Sequence, residues 1–208
     1  MEKPAPMAYP IEALLQRRWS PRALSAKPVG RDVLARLFEA ARWAPSSFNE
    51  QPWRYIVVTR ETAERLAEAH AVLTPGNAWA TNAPVLVCTV AQLAFSKNGK
   101  PNRHAFHDVG AASENLLLQA VALGLFGHQM AGFDAEKTRI VFRIPEGYEP
   151  VAMMALGYPA EAESLTEEQQ AHEKRPRVRR GIEEFVFDGR FGNPMWDSTG
   201  EGTVPQLR

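Results

Sequence analysis

Three segments of this 208-residue chain gather residue types that could hold a ligand. Arg18-Trp19-Ser20-Pro21-Arg22 flanks a hydroxyl with two guanidinium groups. A planar, permanently charged fork of this kind suits a phosphate or another delocalised anion. The loop from Pro45 to Trp53 sets Ser46, Ser47, Asn49 and Gln51 between Pro45 and Pro52, which stiffen it. Hydroxyls and carboxamides both donate and accept, which suits a heterocycle with alternating carbonyls and ring nitrogens. In Gly127-His128-Gln129-Met130-Ala131-Gly132-Phe133-Asp134, two glycines let main-chain amides come close to a flat ligand. Each segment also has a plainer reading: a solvated basic helix end, a turn-rich loop and a connection between two helices.

Other reactive side chains read more simply as structure. Cys88 lies inside an apolar run and is expected in the core. His104 and His107 have a spacing that could serve a metal, but no cysteine or acidic cluster supports them. His128 could donate a proton beside the glycine-bearing segment, yet reads as an ordinary loop histidine. Trp43, Phe48 and Phe126 could line a pocket or pack in the core.

These residues must be positioned by elements that the hydropathy pattern outlines. Ile11, Leu14 and Leu15 after Pro10 predict a short helix, stopped by Pro21. Val33, Leu34, Leu37, Phe38 and Ala41 recur at helical spacing up to the break at Pro45. Tyr55 to Thr59 reads as a strand, Glu61 to Ala71 as a helix, Pro75 to Asn77 as a loop and Val85 to Val90 as a buried strand. The longest helix is expected over about Asp108 to Leu123, apolar nearly all round and stopped by Gly124. Asp134 is placed to cap a helix from Ala135 to Phe142, and Val151 to Leu156 reads as another strand. Thr166 to Gln169 fits a capping box, followed by the basic run from Lys174 to Arg180. Helices and strands interleave, so a sheet with helices packed on it is expected.

Bulk composition narrows the class. The 24 basic and 24 acidic residues cancel, which excludes a global basic field for nucleic acid. At this length one core suffices, and residues 1–208 read as one domain with its core at about 11–192. A single cysteine cannot make an internal disulfide, and Met1 to Pro10 has no long apolar run, so a cytoplasmic protein without signal peptide or membrane span is expected.

Taken in order, these motifs resemble the nitroreductase family of flavoproteins, from about Ile11 to Gly192. The resemblance rests on Arg18, Ser20 and Arg22; on the Pro-Ser-Ser-x-Asn-x-Gln-Pro-Trp loop from Pro45; on Asn77; on Asp108-x-Gly-Ala-Ala-x-x-Asn-Leu; on Gly124-Leu125 and Met130 to Asp134; on Ala155 to Pro159; and on the basic segment before Ile182. It implies an α+β fold with a central mixed, mainly antiparallel sheet flanked by helices. It further implies a homodimer with long central helices and a C-terminal arm, which Phe185 to Trp196 would form. FMN is the implied cofactor, with NADH or NADPH as electron donor and no side chain acting as nucleophile or obligate acid. Arg18, Ser20, Arg177 and Arg179 would meet the phosphate, with Trp19 between the anchors, and Arg22 would lie beside the flavin N1. Asn77 would bond the polar edge, and Met130, Ala131 or Gly132 would offer backbone near N5. Pro45, Ser46, Ser47 and Asn49 would come from the partner subunit, and Gln51 would also meet the cofactor. A ping-pong reduction of nitroaromatics, quinones or similar small acceptors is implied. Dehalogenation, enal or semialdehyde reduction, flavin breakdown and flavin binding without turnover stand as alternatives.

Overall fold

The computed structural model describes residues 3–196. Four strands form one sheet: β1 (Trp53–Thr59), β2 (Val85–Gln92), β3 (Phe126–Met130) and β4 (Tyr148–Gly157), in the spatial order β1-β2-β4-β3. Every pairing among them is antiparallel, so among the described residues the sheet is not mixed. β2 sits in the middle and is buried along nearly its whole length, as a strand covered on both faces must be.

Alternate side chains of β2 enter two different cores. Val85, Val87 and Ala91 pack against α2 (Arg31–Arg42) and α4 (Ala105–Ala122), with Leu37, Leu116 and Leu156. Leu86, Cys88 and Val90 face the opposite side, with Ala69 of α3 (Ala63–Ala71), Val72, Trp79 and Met153. Cys88 is therefore core, and burial pushes its thiol up to about 12. The ladder slips once: Thr89 pairs with Ala152 but Val90 with Pro150, leaving Val151 as the extra residue of a bulge. Pro150 has no amide to donate, which fits a break in the ladder there.

The remaining helices are α1 (Ala13–Arg17), α5 (Ala135–Val141) and α6 (Glu167–Lys174). Asp134 caps α5 through its bond from the Lys137 amide, and Thr166 with Gln169 makes a capping box on α6. Gly124 ends α4 with φ +75°, a conformation that favours glycine. α4 is longer at its N-terminus than the hydropathy pattern suggests, because Asp108 lies a turn inside it and does not start it.

Two expectations need correction. Pro75 to Asn82 is a 3₁₀ helix and not a loop, so Asn77 sits within a turn of helix. The stretch after Gly124 is a strand, β3, and not a connection between helices. Its Gly127 serves packing: a Cβ there would lie 2.3 Å from a Leu117 methyl and 2.7 Å from a Leu156 methyl. That glycine lets sheet and helix approach each other, not backbone and ligand.

Candidate functional site

The segment Arg18 to Arg22 leaves α1 and runs between β3 and α6. Arg18 donates to the Ser20 hydroxyl at 3.3 Å and pairs with Glu114 of α4 at 3.5 Å. Burial holds the Glu114 carboxyl above its ordinary range, with the Arg18 charge opposing that shift. Arg177 lies close by and donates to the carbonyls of Lys3, Gln16 and Arg18. Burial, then repulsion from Arg18 and Arg179, holds its guanidinium below the usual range. Three guanidinium groups thus share one neighbourhood. Arg179 is exposed and, among the described residues, its side chain bonds the adjacent Val178 carbonyl.

Trp19 behaves differently from its neighbours. Its ring is buried, meets Phe126 edge-on at 6.3 Å and carries the Lys3 ammonium 5.1 Å from its centroid. The structure places it in the core. Arg22 is half-buried, with its guanidinium 5.9 Å from the Trp79 ring centroid. Among the described residues its guanidinium has no carboxylate partner.

A second group closes round Gly132. Its carbonyl accepts from the Thr74 amide and hydroxyl and from the Asn77 side-chain amide, at 3.1, 3.0 and 2.8 Å. The Asn77 carboxamide oxygen and the Gly132 amide have no bond among the described residues, so both are available. A Cβ on Gly132 would lie 2.6 Å from the Asn77 amide nitrogen and 2.7 Å from the Thr74 hydroxyl. Gly132→Ala is therefore expected to displace both donors, lowering stability by about 1–3 kcal/mol in urea unfolding. Met130 is buried in the core, so only its backbone can face a ligand, while Ala131 is exposed.

Two residues bind this region together: His128, read from the sequence as an ordinary loop histidine, and Glu173, which sequence reasoning passed over. His128 lies against Trp79, ring centroids 4.6 Å apart, and its Nδ1 is 3.1 Å from the Pro21 carbonyl. A carbonyl only accepts, so Nδ1 carries the proton. Burial lowers the ring to about 4, with Arg22 and Arg18 adding to the effect and the Pro21 and Ser20 carbonyls opposing it. The folded value lies below the ordinary 6.5, so this stabilisation is full above that pH and is lost as pH falls toward 4. The urea midpoint should fall through that window, and His128→Asn should flatten that part of the profile. The other residue is Glu173 of α6, only 3% exposed, whose carboxylate accepts from the amides of Arg22 and Ala23.

The loop from Pro45 to Gln51 lies elsewhere. The buried Asp108 carboxylate accepts from the Ser47 amide at 3.0 Å, the Ser46 hydroxyl from the Gln51 amide, and Glu50 from Ser96. Asp108 stands six residues before Glu114 on α4, about 9 Å along its axis. The loop is held in an unusual shape: Phe48, Asn49 and Gln51 all have φ between 53° and 57°, and Phe48 is 92% exposed. Non-glycine residues adopt that region at a cost, and such strain clusters at functional sites. The carboxamide of Gln51 braces Asn49 through two bonds. Arg18, Ser20, Arg177 and Arg179 thus gather in one neighbourhood, Arg22 reaches over Trp79, Asn77 and Gly132 form a second group, and Pro45 to Gln51 is anchored to Asp108 near the N-terminus of α4. His104 and His107 flank the start of α4, and no metal-binding cluster occurs among the described residues.

Residues 15–158 match the Nitroreductase family. The chain belongs to the nitroreductase family. Membership makes it an oxidoreductase and accounts for the α+β arrangement of sheet and helices. A solved oxidoreductase containing FMN superposes with a TM-score of 0.85 at 30% identity, covering 91% of this chain and 96% of that one. The NADH dehydrogenase of Thermus thermophilus is 33% identical over 196 residues, 77% of this chain and 92% of that protein. Iodotyrosine deiodinase 1 of Rattus norvegicus is 26% identical over 174 residues, 71% of this chain and 61% of that protein.

Proposed function

We propose that this chain is an FMN-dependent oxidoreductase, supplied with electrons by NADH or NADPH, that reduces nitroaromatics, quinones or related electron-poor small molecules. The observation that supports it most is the gathering of Arg18, Arg177 and Arg179, with the Arg22 guanidinium without a carboxylate partner among the described residues. Such a cluster is stabilised by an anion, and a side chain at Gly132 would displace the Asn77 and Thr74 donors.

The residues present fit FMN. Arg18 and Ser20 would hold the phosphate, with Arg177 and Arg179 adding positive field and Arg177 also bracing the Arg18 backbone. Arg22 would stand by the ring edge that carries N1, where a fixed cation stabilises negative charge. Asn77 offers its carboxamide oxygen to the polar edge, and Gly132 its amide near N5. When bound, FMN supplies hydride transfer between the nicotinamide donor and the acceptor. The protein's part is to bind, orient and polarise, and it needs no nucleophilic side chain.

The functional unit in this reading is a homodimer. α1 buries none of its residues, and Ile11, Leu14 and Leu15 leave apolar surface beside α4, with Phe106, Trp43 and Phe48 also exposed. A patch of this kind marks an interface. The strained loop from Pro45 to Gln51, anchored far from Arg18, would complete the partner's site. Phe185 to Trp196, with Phe185, Phe191 and Met195 exposed, would form the arm across the partner.

The visible spectrum of the purified protein tests this reading. Flavin absorbance, retained or restored by added FMN and bleached by NADH or NADPH without oxygen, is the expected result. A colourless protein that FMN cannot reconstitute overturns it. The likeness to iodotyrosine deiodinase favours reductive dehalogenation as a second reading, which turnover of iodinated phenols in preference to nitroaromatics and quinones would establish.

A further inference from the structure

The backbone from Pro21 to Ala23 is gripped from two sides. His128 of β3 donates its Nδ1 proton to the Pro21 carbonyl at 3.1 Å. Glu173 of α6 accepts from the Arg22 amide at 3.0 and 3.2 Å and from the Ala23 amide at 3.2 Å. Between these contacts projects the Arg22 guanidinium, over the same Trp79 ring that His128 packs against. A carboxylate buried to this degree is costly to desolvate, and its bonds to two backbone amides offset part of that cost. An apolar residue would fill the space more cheaply but would leave the orientation of Arg22 unset. Among the described residues Glu173 bonds neither Arg18 nor Ser20, and the His128 Nδ1 proton goes to the Pro21 carbonyl, so the grip centres on the backbone that carries Arg22.

We propose that Glu173 and His128 are positioning residues that aim the Arg22 guanidinium at the ring edge of the flavin, and so set affinity for the ring and not for the phosphate. This rests on the FMN reading above. Trp79 supplies the apolar, π-rich surface against which the guanidinium is held.

The test compares FMN with riboflavin, which has the ring but no phosphate, by quenching of flavin fluorescence on the full-length protein. Glu173→Gln and His128→Leu should each weaken both flavins by the same factor, about tenfold, which corresponds to one lost hydrogen bond of about 1.4 kcal/mol. His128→Asn, whose side-chain amide can donate to the same carbonyl, should restore most of the loss. In the background of Arg22→Ala, neither Glu173→Gln nor His128→Leu should weaken binding further, because both act through Arg22. A role confined to packing would instead add its effect to that of Arg22→Ala. Wild-type affinity in both variants overturns the proposal, as does additivity with Arg22→Ala or weakening of FMN alone. If Glu173→Gln fails to fold by circular dichroism, the His128 pair decides the question. A wild-type protein that binds neither flavin overturns the FMN reading itself, an outcome distinct from variants that bind normally.

Discussion

Arg18→Ala is expected to weaken FMN binding about 10- to 100-fold while leaving riboflavin binding near the wild-type value. A hydrogen bond to a charged group contributes about 1.5–3 kcal/mol, which sets that range. The variant should fold, because what Arg18 supports in the protein is modest. Its partner Glu114 is half-exposed, and burial already holds that carboxyl above its ordinary range. The bond from Arg177 goes to the Arg18 carbonyl and survives the change. Arg18→Lys separates charge from geometry: a point charge keeps the field but loses the fork, so intermediate affinity is expected. Raising salt should weaken FMN more for the wild type than for Arg18→Ala, since screening acts on the charge removed. Equal loss of FMN and riboflavin in Arg18→Ala would show that Arg18 does not meet the phosphate.

Local signals carried most of the fold. Asp134 and Thr166 announced their helices because a cap is formed by residues three apart, and the structure shows both bonds. The apolar run at β2 was legible because a strand covered on both faces needs no alternation. β3 was not legible. It is five residues long, and two of its members, His128 and Gln129, are polar. Its glycine suggested a loop until Leu117 and Leu156 proved to stand against it.

The site divides along the same line. Arg18, Ser20 and Arg22 stand close in sequence, so their chemistry could be seen directly. Glu173 meets Arg22 across 151 positions and His128 meets Pro21 across 107, and no spacing rule connects residues so far apart. A glutamate in a capped, polar-looking helix reads as surface, and only the packing of α6 shows that it is buried. Asp108 belongs with them. Its motif was visible, but its bond to Ser47, which ties the strained loop to α4, was not.

That tie leads to the second large effect, an exchange between subunits. Ser47→Pro removes the amide that Asp108 accepts from and should release the loop, lowering turnover at least tenfold while FMN-independent folding persists. The preceding residue, Ser46, is extended at φ −147° and ψ 157°, a conformation that tolerates a following proline. Arg18→Ala and Ser47→Pro homodimers should each have little activity at limiting FMN. If each site combines the anchors of one protomer with the loop of the other, a hybrid of the two variants contains one doubly damaged site and one intact site. Mixing and reassembling the two inactive proteins should then restore activity, toward about a quarter of wild type per total subunit when exchange is random and each hybrid holds one good site of two. If each protomer builds its site alone, every site in the hybrid retains one lesion and mixing recovers nothing. Titrating one variant into the other, with tagged subunits to count hybrids, separates the outcomes. Recovery proportional to the hybrid fraction requires that the strained loop work across the interface, which is the simplest physical reason for anchoring it nearly two turns of α4 away from Arg18.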